Sequence, residues 1–248
     1  MSASGREAAA AAATVGVIVA LGVERAAFRV GDGRDQPLGI LQSGPGAERA
    51  ARAATTALAS GASGLVSFGL AGGLRPELAP GAVLLPRRVR SATAAFTVDP
   101  AWHAALAGAA RIAGLVPSFE DLLSVPAALT TPAEKWAAAA SGAAAADMES
   151  AAIAAVAARA GARFVAVRVI VDTANDSLPE DVEHWVDERG ERRLGPALAA
   201  ALRPVRWRQL WVLARRYRAA RRTLERLAPL VSDQHLGEHA GVEPHAVN

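Results

Sequence analysis

Three acidic residues stand where this sequence could use a carboxyl group for chemistry. Asp172 ends the apolar run 164–171, Glu24 closely follows the apolar run 15–21, and Glu149 lies between two apolar segments. Burial at the end of such a run raises the pKa of a carboxyl group towards the range that suits proton transfer. Two structural alternatives stay open, because Asp172 could cap a turn and Glu149 could serve the dipole of a helix N-terminus.

Two glycine-rich segments add backbone that a ligand could approach closely. Gly69–Gly73 (GLAGG) follows the apolar run 65–68 and predicts a tight turn. Gly44-Pro45-Gly46 precedes a helical segment, so its backbone N–H groups could cradle an anion at the helix N-terminus. Each segment could equally be an ordinary turn between elements.

Apolar β-branched runs alternate with alanine-rich helical segments along most of the chain. The pattern predicts strands over 14–20, 37–42, 65–68, 81–85, 119–125 and 163–171, and helices over 47–60, 100–114 and 147–160. Such alternation is typical of a doubly wound, largely parallel α/β sheet, which binds ligands at the carboxyl ends of its strands. Glu24, the glycine segment and Asp172 would then meet at one edge of the sheet, and Glu149 would open a helix facing it.

Shifts in composition divide the chain into four segments. We expect a disordered alanine-rich leader over 1–13 and a single catalytic α/β domain over 14–202. We predict a basic amphipathic helical extension over 203–231. One predicted helix, 194–202, precedes the extension, and another, 205–227, lies within it. A disordered polar tail would follow over 232–248.

Composition also excludes several classes of protein. The sequence has no cysteine, so disulfides, thiolate nucleophiles and cysteine-ligated zinc are excluded. The histidines of the predicted domain have no metal-ligand spacing beside carboxylates, so we expect no metal. No apolar stretch reaches the roughly 18–20 residues of a membrane span, and a cytoplasmic location is expected.

Five segments together resemble the nucleoside phosphorylase and nucleosidase superfamily. The resemblance extends over roughly residues 14 to 180 and rests on the ordered motifs 15–24, 43–57, 67–74, 146–150 and 167–172. It implies a single doubly wound catalytic domain that cleaves the N-glycosidic bond of a purine nucleoside. It also implies a homo-oligomer, with sites near subunit interfaces.

The resemblance implies a role for each residue around the nucleoside. Glu149 would hold the ribose hydroxyls, Met148 would pack against the ribose, and Asp172 would protonate or hydrogen-bond N7 of the purine. Gly72 and Leu129 would contribute to substrate binding. The segment at Leu129 lacks the aromatic ring that the nucleosidases stack on adenine.

The nucleophile stays open between water and phosphate. By the resemblance, Glu24 falls where nucleosidases activate water, whereas Arg25 falls where phosphorylases bind phosphate, together with Gly44 and Gly46. Leu70 replaces a hydroxyl residue near the nucleophile, and Ser67 replaces a second phosphate arginine. We expect no cofactor other than inorganic phosphate as a co-substrate, and the resemblance of the extension described next leads us to prefer phosphate.

The extension is strongly basic. Between Arg203 and Arg226 the chain has nine arginines and one acid, Glu225, which leaves the rest of the chain net acidic. Tryptophan and arginine on an amphipathic helix over 205–227 suit contact with an anionic membrane surface at the inner face. A helix packed on its own domain is the main alternative, and an acidic body disfavours nucleic acid.

The extension and the segment 175–179 resemble the hopanoid-associated phosphorylases. This resemblance implies release of adenine from a 5′-modified adenosine, with adenosylhopane as the leading substrate. Cleavage of methylthioadenosine, S-adenosylhomocysteine or futalosine by a soluble enzyme is one alternative, and a non-catalytic nucleoside-binding protein is another.

Overall fold

The computed structural model describes residues 15–29, 39–179, 186–191, 207–231 and 236. The predicted leader over 1–13, the predicted helix at 194–202 and all but one residue of the tail over 232–248 lie outside this part of the chain.

The described residues form one sheet of ten strands with helices packed on it. The strands are β1 Val15–Val19, β2 Gly39–Gln42, β3 Gly64–Gly73, β4 Val83–Leu84, β5 Arg88–Arg90, β6 Ala95–Thr97, β7 Pro117–Ser118, β8 Leu122–Ser124, β9 Ala145–Asp147 and β10 Arg163–Asp172. The helices are α1 Gly22–Ala27, α2 Ala47–Ala59, α3 Pro100–Ile112, α4 Pro132–Ala139, α5 Ser150–Ala160 and α6 Trp207–Leu227. The predicted α/β class is confirmed.

The strand order is β6-β5-β8-β9-β3-β10-β4-β7. One edge of β3 pairs with β10 over its whole length, while β1 and β9 pair with successive parts of β3 and β2 adds to β1. Six of the nine pairings among the described strands are parallel, so the sheet is mixed rather than uniformly parallel. The central strands are buried along almost all their residues, as parallel strands covered on both faces are.

Two predicted boundaries around the site are wrong. The segment Gly69–Gly73 is not a turn, because it continues β3 and pairs with β10 on one edge and β9 on the other. Asp147 does not start a helix, because it ends β9 beside β8, and α5 begins at Ser150. In both places pairing between distant strands overrides the local pattern of alanine and glycine.

The second half of helix α6 packs on the domain. Ala220, Leu224 and Leu227 are buried against the domain, and the Thr223 hydroxyl donates to the Gly81 carbonyl at 3.0 Å. Trp211, nearer the start of the helix, is 60% exposed. The packed alternative is therefore observed for the second half of α6. Among the helices that the structure describes, none combines the length and the apolar composition that a bilayer crossing requires.

One residue of the predicted tail belongs to the core. Leu236 is buried, and its carbonyl accepts a hydrogen bond from the indole N–H of Trp102 at 2.8 Å. A buried side chain with a buried hydrogen bond is ordered by those contacts, so the predicted disorder of 232–248 does not hold at this residue.

Candidate active site

The second half of β3 lies beside Asp172 and Glu24, and its other edge pairs with β9, the strand that precedes Glu149. In the strand register Gly69 lies opposite Arg168, and Gly72 lies between Asp172 of β10 and Ala146 of β9. Because β3 and β10 are parallel, their carboxyl ends share one edge of the sheet. The predicted meeting of the glycine segment with Asp172 at this edge is thus observed, although β3 supplies it as a strand.

Asp172 is buried at the last position of β10, with only 2% of its surface exposed. A Cβ added to Gly72 would lie 3.4 Å from Oδ1 and 3.5 Å from Oδ2 of Asp172, so the carboxyl group faces the end of β3. Burial raises the pKa of Asp172, and the ammonium group of Lys135 opposes this effect. The turn that follows is capped by Asp176, whose carboxylate accepts from the Thr173 N–H and hydroxyl, both at 2.8 Å. Asp172 is therefore not the cap of that turn.

Lys135 is a site residue that the sequence analysis missed. It lies on α4, is 1% exposed, and forms an ion pair with Oδ2 of Asp172. Its helix has a recognisable start in the sequence, namely Thr131 three residues before Glu134, with proline between them. The structure forms this capping box: the Thr131 hydroxyl accepts from the Glu134 N–H at 3.3 Å, and the Glu134 carboxylate accepts from the Thr131 N–H at 2.9 Å.

Glu24 is buried on α1, with 3% of its surface exposed. Its carboxylate accepts hydrogen bonds from the backbone N–H groups of Ala20, Leu21 and Leu70, at 2.8, 2.9 and 2.8 Å. A Cβ on Gly69 would overlap this carboxylate, so glycine is required for the close approach. Burial raises the pKa of Glu24, and the charge of Arg168 together with the backbone N–H groups opposes that rise.

Glu149 precedes α5 as its N-cap residue and is 9% exposed. The N–H of Gly46 donates to its carboxylate at 2.8 Å, and the N–H of Met148 donates at 3.2 Å. Burial, and then the neighbouring charge of Asp147, raise the pKa of Glu149 to about 7, against the Gly46 N–H and Arg168. A carboxyl group that titrates near neutral pH is typical of functional sites.

A buried polar network underlies the two glutamates. Arg168 donates to Asp147 from Nε at 2.9 Å and from Nη2 at 2.7 Å, and it donates to the hydroxyls of Ser67 and Ser150 at 2.7 and 2.9 Å. Ser67 and Ser150 also contact each other at 3.0 Å. Arg168 pairs with Asp147, and the ion pairs formed among the described residues include none with Glu24 or Glu149.

Comparison with known proteins supplies the family. A profile described as Phosphorylase superfamily matches residues 1–205 of the 248. The chain belongs to the phosphorylase superfamily. No curated protein matches the sequence.

Solved structures of the same fold come from several bacteria. A 5′-methylthioadenosine/S-adenosylhomocysteine nucleosidase from Neisseria meningitidis, in complex with methylthio-immucillin-A, superposes with a TM-score of 0.67 at 19% identity, covering 88% of this chain and 98% of the nucleosidase. The corresponding Helicobacter pylori nucleosidase has a TM-score of 0.67 at 15% identity, with 92% and 99% covered. Futalosine hydrolase from H. pylori has a TM-score of 0.65 at 16% identity, with 88% and 98% covered.

In this phosphorylase-superfamily chain, the residues predicted to bind phosphate have different surroundings, and their binding of phosphate stays a prediction. Gly44 has φ +77°, and a Cβ there would overlap the carbonyl oxygen of Glu188. The N–H of Gly46 is bound to Glu149. Arg25 is exposed and lines an open cleft of about 740 Å³ together with Gln42, Ser43, Arg49, Arg52 and other side chains. Both glycines therefore face protein groups, while Arg25 faces the cleft.

The remaining predicted contacts lie close to the same edge of the sheet. Met148 is half-buried between Asp147 and Glu149. Leu129 packs with Leu74 and Ala146 in a small apolar cluster directly beyond the end of β3. Their contacts with a nucleoside stay predictions. The described residues contain no group of three or more His, Asp or Glu side chains arranged to hold a metal ion.

Proposed function

We propose that this chain cleaves the N-glycosidic bond of a 5′-modified adenosine and releases adenine. The observation that carries the proposal is a pair of buried carboxyl groups: Asp172, which lies opposite Gly72 at the carboxyl end of β3, and Glu149, which follows β9 on the other edge of β3. As the bond breaks, its electron pair moves to the purine, and Asp172 donates a proton to N7. Glu149 binds the ribose hydroxyls and stabilises the positive charge that develops on the sugar.

We further propose that the attacking nucleophile is water, activated by Glu24. Glu24 is buried beside Gly69 with a raised pKa, which suits a general base. Of the two glycines of the phosphate alternative, Gly46 donates its N–H to Glu149, and the Glu188 carbonyl lies close beside Gly44. The sequence analysis preferred phosphate as the nucleophile, and this proposal prefers water instead. Phosphate is the competing nucleophile that the assay tests.

Adenine release, followed with and without inorganic phosphate on a panel of adenosines, tests both proposals. We expect full activity in phosphate-free buffer, free sugar as the second product, and complete loss of activity in Glu24→Gln. Activity that scales with phosphate, with formation of a sugar 1-phosphate and a raised phosphate KM in Arg25→Ala, would overturn the hydrolytic proposal. Nucleoside binding without turnover would instead favour the non-catalytic alternative.

The proposed substrate is adenosylhopane, a nucleoside that carries a lipid. Helix α6 supports this choice, since it is basic and Trp211 is exposed with the Arg215 guanidinium 6.0 Å from the centre of its ring. Arg216 of the same helix pairs with Asp176 at 2.6 Å, four residues after the proposed acid. An amphipathic segment beside the site could hold the chain at the anionic inner membrane face where such a substrate lies.

Binding to anionic vesicles distinguishes this proposal from its alternative. In the alternative, the chain cleaves methylthioadenosine, S-adenosylhomocysteine or futalosine and does not bind membranes. We expect flotation with phosphatidylglycerol vesicles at low salt, weakened but not abolished at high salt. Trp211→Ala should lower vesicle binding about tenfold without changing the melting temperature. The matched control, Leu224→Ala in the packed half, should cost about 2–5 kcal/mol of stability and leave binding of the folded chain unchanged. Equal vesicle binding by wild type and Trp211→Ala would remove α6 as support.

Assembly is proposed separately. A homo-oligomer follows from the resemblance alone, and light scattering of the purified chain at several concentrations measures it. A monomer at all concentrations would contradict this proposal without affecting the chemistry.

A further inference from the structure

Lys135 is the only lysine among the 27 basic residues of the sequence, and it is buried. Burying an ammonium group costs several kcal/mol unless it is paired and its three N–H groups are satisfied. Lys135 meets both conditions: it pairs with Oδ2 of Asp172 and donates to the backbone carbonyls of Thr173 and Asp176 at 3.0 and 2.9 Å. All three N–H groups are therefore directed at the end of β10 and the turn after it.

The acceptors of Lys135 are themselves fixed. Asp176 closes its turn onto Thr173, and its carboxylate also accepts from Arg216 of α6 at 2.6 Å. The ammonium group thus joins α4 to a turn that is held from its other side. This arrangement leaves Lys135 little freedom to move away from Asp172.

The two oxygens of Asp172 are treated differently. Both oxygens lie near the Gly72 end of β3, but Lys135 binds only Oδ2. No hydrogen bond to Oδ1 is formed by the residues that the structure describes. Oδ1 is therefore the oxygen left to meet a purine at the carboxyl edge of the sheet.

We propose that Lys135 is the positioning residue of the leaving-group acid, holding Oδ2 of Asp172 so that Oδ1 is presented to N7 of the purine. This inference rests on the proposed function. Lys135 touches Asp172 rather than the substrate, so it acts through that carboxyl group. The same ammonium group also limits how far burial raises the pKa of Asp172.

The first test measures the effect of Lys135 on the pKa of Asp172 in the protein without substrate, so it does not depend on enzymatic activity. The carboxyl carbon of Asp172 is titrated by ¹³C NMR, with Asp172→Asn to assign the signal. In Lys135→Met the pKa of Asp172 should rise by about 1–3 units, because a cation within bonding distance lowers a carboxyl pKa by that amount. An unchanged pKa would overturn the inference, even if the wild-type chain releases no adenine from any nucleoside and the proposed function fails.

The second test is a double-mutant cycle on the kcat for release of adenine from 5′-methylthioadenosine, or from whichever adenosine of the panel the wild type cleaves. Lys135→Met should lower kcat by about 100-fold, the size of effect that misplacing a reacting group has, and should shift the alkaline limb of the pH profile upwards. In the Asp172→Asn background the same change should have no further effect. An equal loss in both backgrounds would mean that Lys135 acts through folding and would overturn the positioning role.

The cycle stays decisive if Lys135→Met alone does not fold. Lys135→Met combined with Asp172→Asn leaves no buried charge at this place, and in Asp172→Asn alone the amide oxygen and the two backbone carbonyls can still accept from the Lys135 ammonium group. These two proteins are therefore compared, with each rate divided by the folded fraction from the melting curve. Equal kcat values for these two proteins support the inference, and a further loss in the double variant contradicts it. Melting curves of all variants accompany the rates.

Discussion

The two sides of the site hold their carboxyl groups in opposite ways. On the leaving-group side Asp172 has a cation in direct contact, Lys135. On the sugar side Glu24 and Glu149 accept backbone N–H groups, while Arg168 is bound by Asp147. Burial raises the pKa of all three carboxyl groups, but only Asp172 also has a cation in direct contact, which fixes its orientation and limits that rise. The leaving-group side therefore has a carboxyl group of fixed orientation, and the sugar side has Glu149, whose pKa is about 7.

The largest effect should come from the leaving-group side. Asp172→Asn keeps the shape of the side chain but removes the proton, so kcat should fall by about 10²–10⁴. The matched control is Asp99→Asn. Asp99 lies beside the other end of β10, where its N–H donates to the Phe164 carbonyl, and its side chain caps α3. Asparagine caps a helix as well as aspartate does. Wild-type adenine release by Asp172→Asn would remove Asp172 from the mechanism.

Gly69→Ala tests the sugar side without touching an acid. Its methyl group would overlap the Glu24 carboxylate, whose three backbone hydrogen bonds resist movement, so we expect a loss of about 10² in kcat. Gly108→Ala is the control, because nothing lies within 4 Å of its Cβ position on α3, and it should add about 0.5–1 kcal/mol of stability. Normal rates for Gly69→Ala would show that the position of Glu24 is unimportant.

The pH dependence of substrate binding should come from Glu149. Its pKa is raised to about 7, and the ionised form is the one that binds ribose hydroxyls strongly. Below pH 7 the carboxyl group is protonated, so kcat/KM should fall about tenfold for each pH unit as pH decreases, and recover above pH 7. Glu149→Gln should show a low kcat/KM without this limb. A limb that persists in the variant would belong to another group.

The smallest effect should follow from cutting the link between α6 and the acid. Arg216→Ala removes the ion pair with Asp176, which is partly exposed, so we expect a cost of up to about 1 kcal/mol and a two- to fivefold lower kcat. Arg218→Ala on the exposed side of α6 is the control and should change neither quantity. A loss larger than that of Lys135→Met would reverse the order of importance proposed for this side of the site.

The local sequence pattern correctly predicted the elements that do not depend on pairing with distant strands to be recognised. The apolar run before Asp172 is β10, and the alanine-rich segments over 47–60 and 100–114 correspond to α2 and α3 with small differences at their ends. The extension of β3 to Gly73 and the pairing of β9 were missed, because both depend on neighbours far away in the sequence.

The same reasoning explains which site residues were found. Three acidic residues lie next to apolar segments and could therefore be recognised from the sequence, namely Asp172, Glu24 and Glu149. Lys135 was missed because its partner lies 37 residues away and one lysine has no pattern of its own. The capping box at Thr131 predicts α4, but not which of its side chains is buried.

The buried position of Lys135 has a practical consequence for chemical labelling. Reagents that acylate lysine find no other lysine side chain in this chain, and the one that exists is enclosed by Asp172 and the turn after it. Acylation at Lys135 therefore requires α4 to separate from that turn. The rate of this single modification, read by mass spectrometry, reports how often the leaving-group side opens, and a ligand that closes the site should slow it.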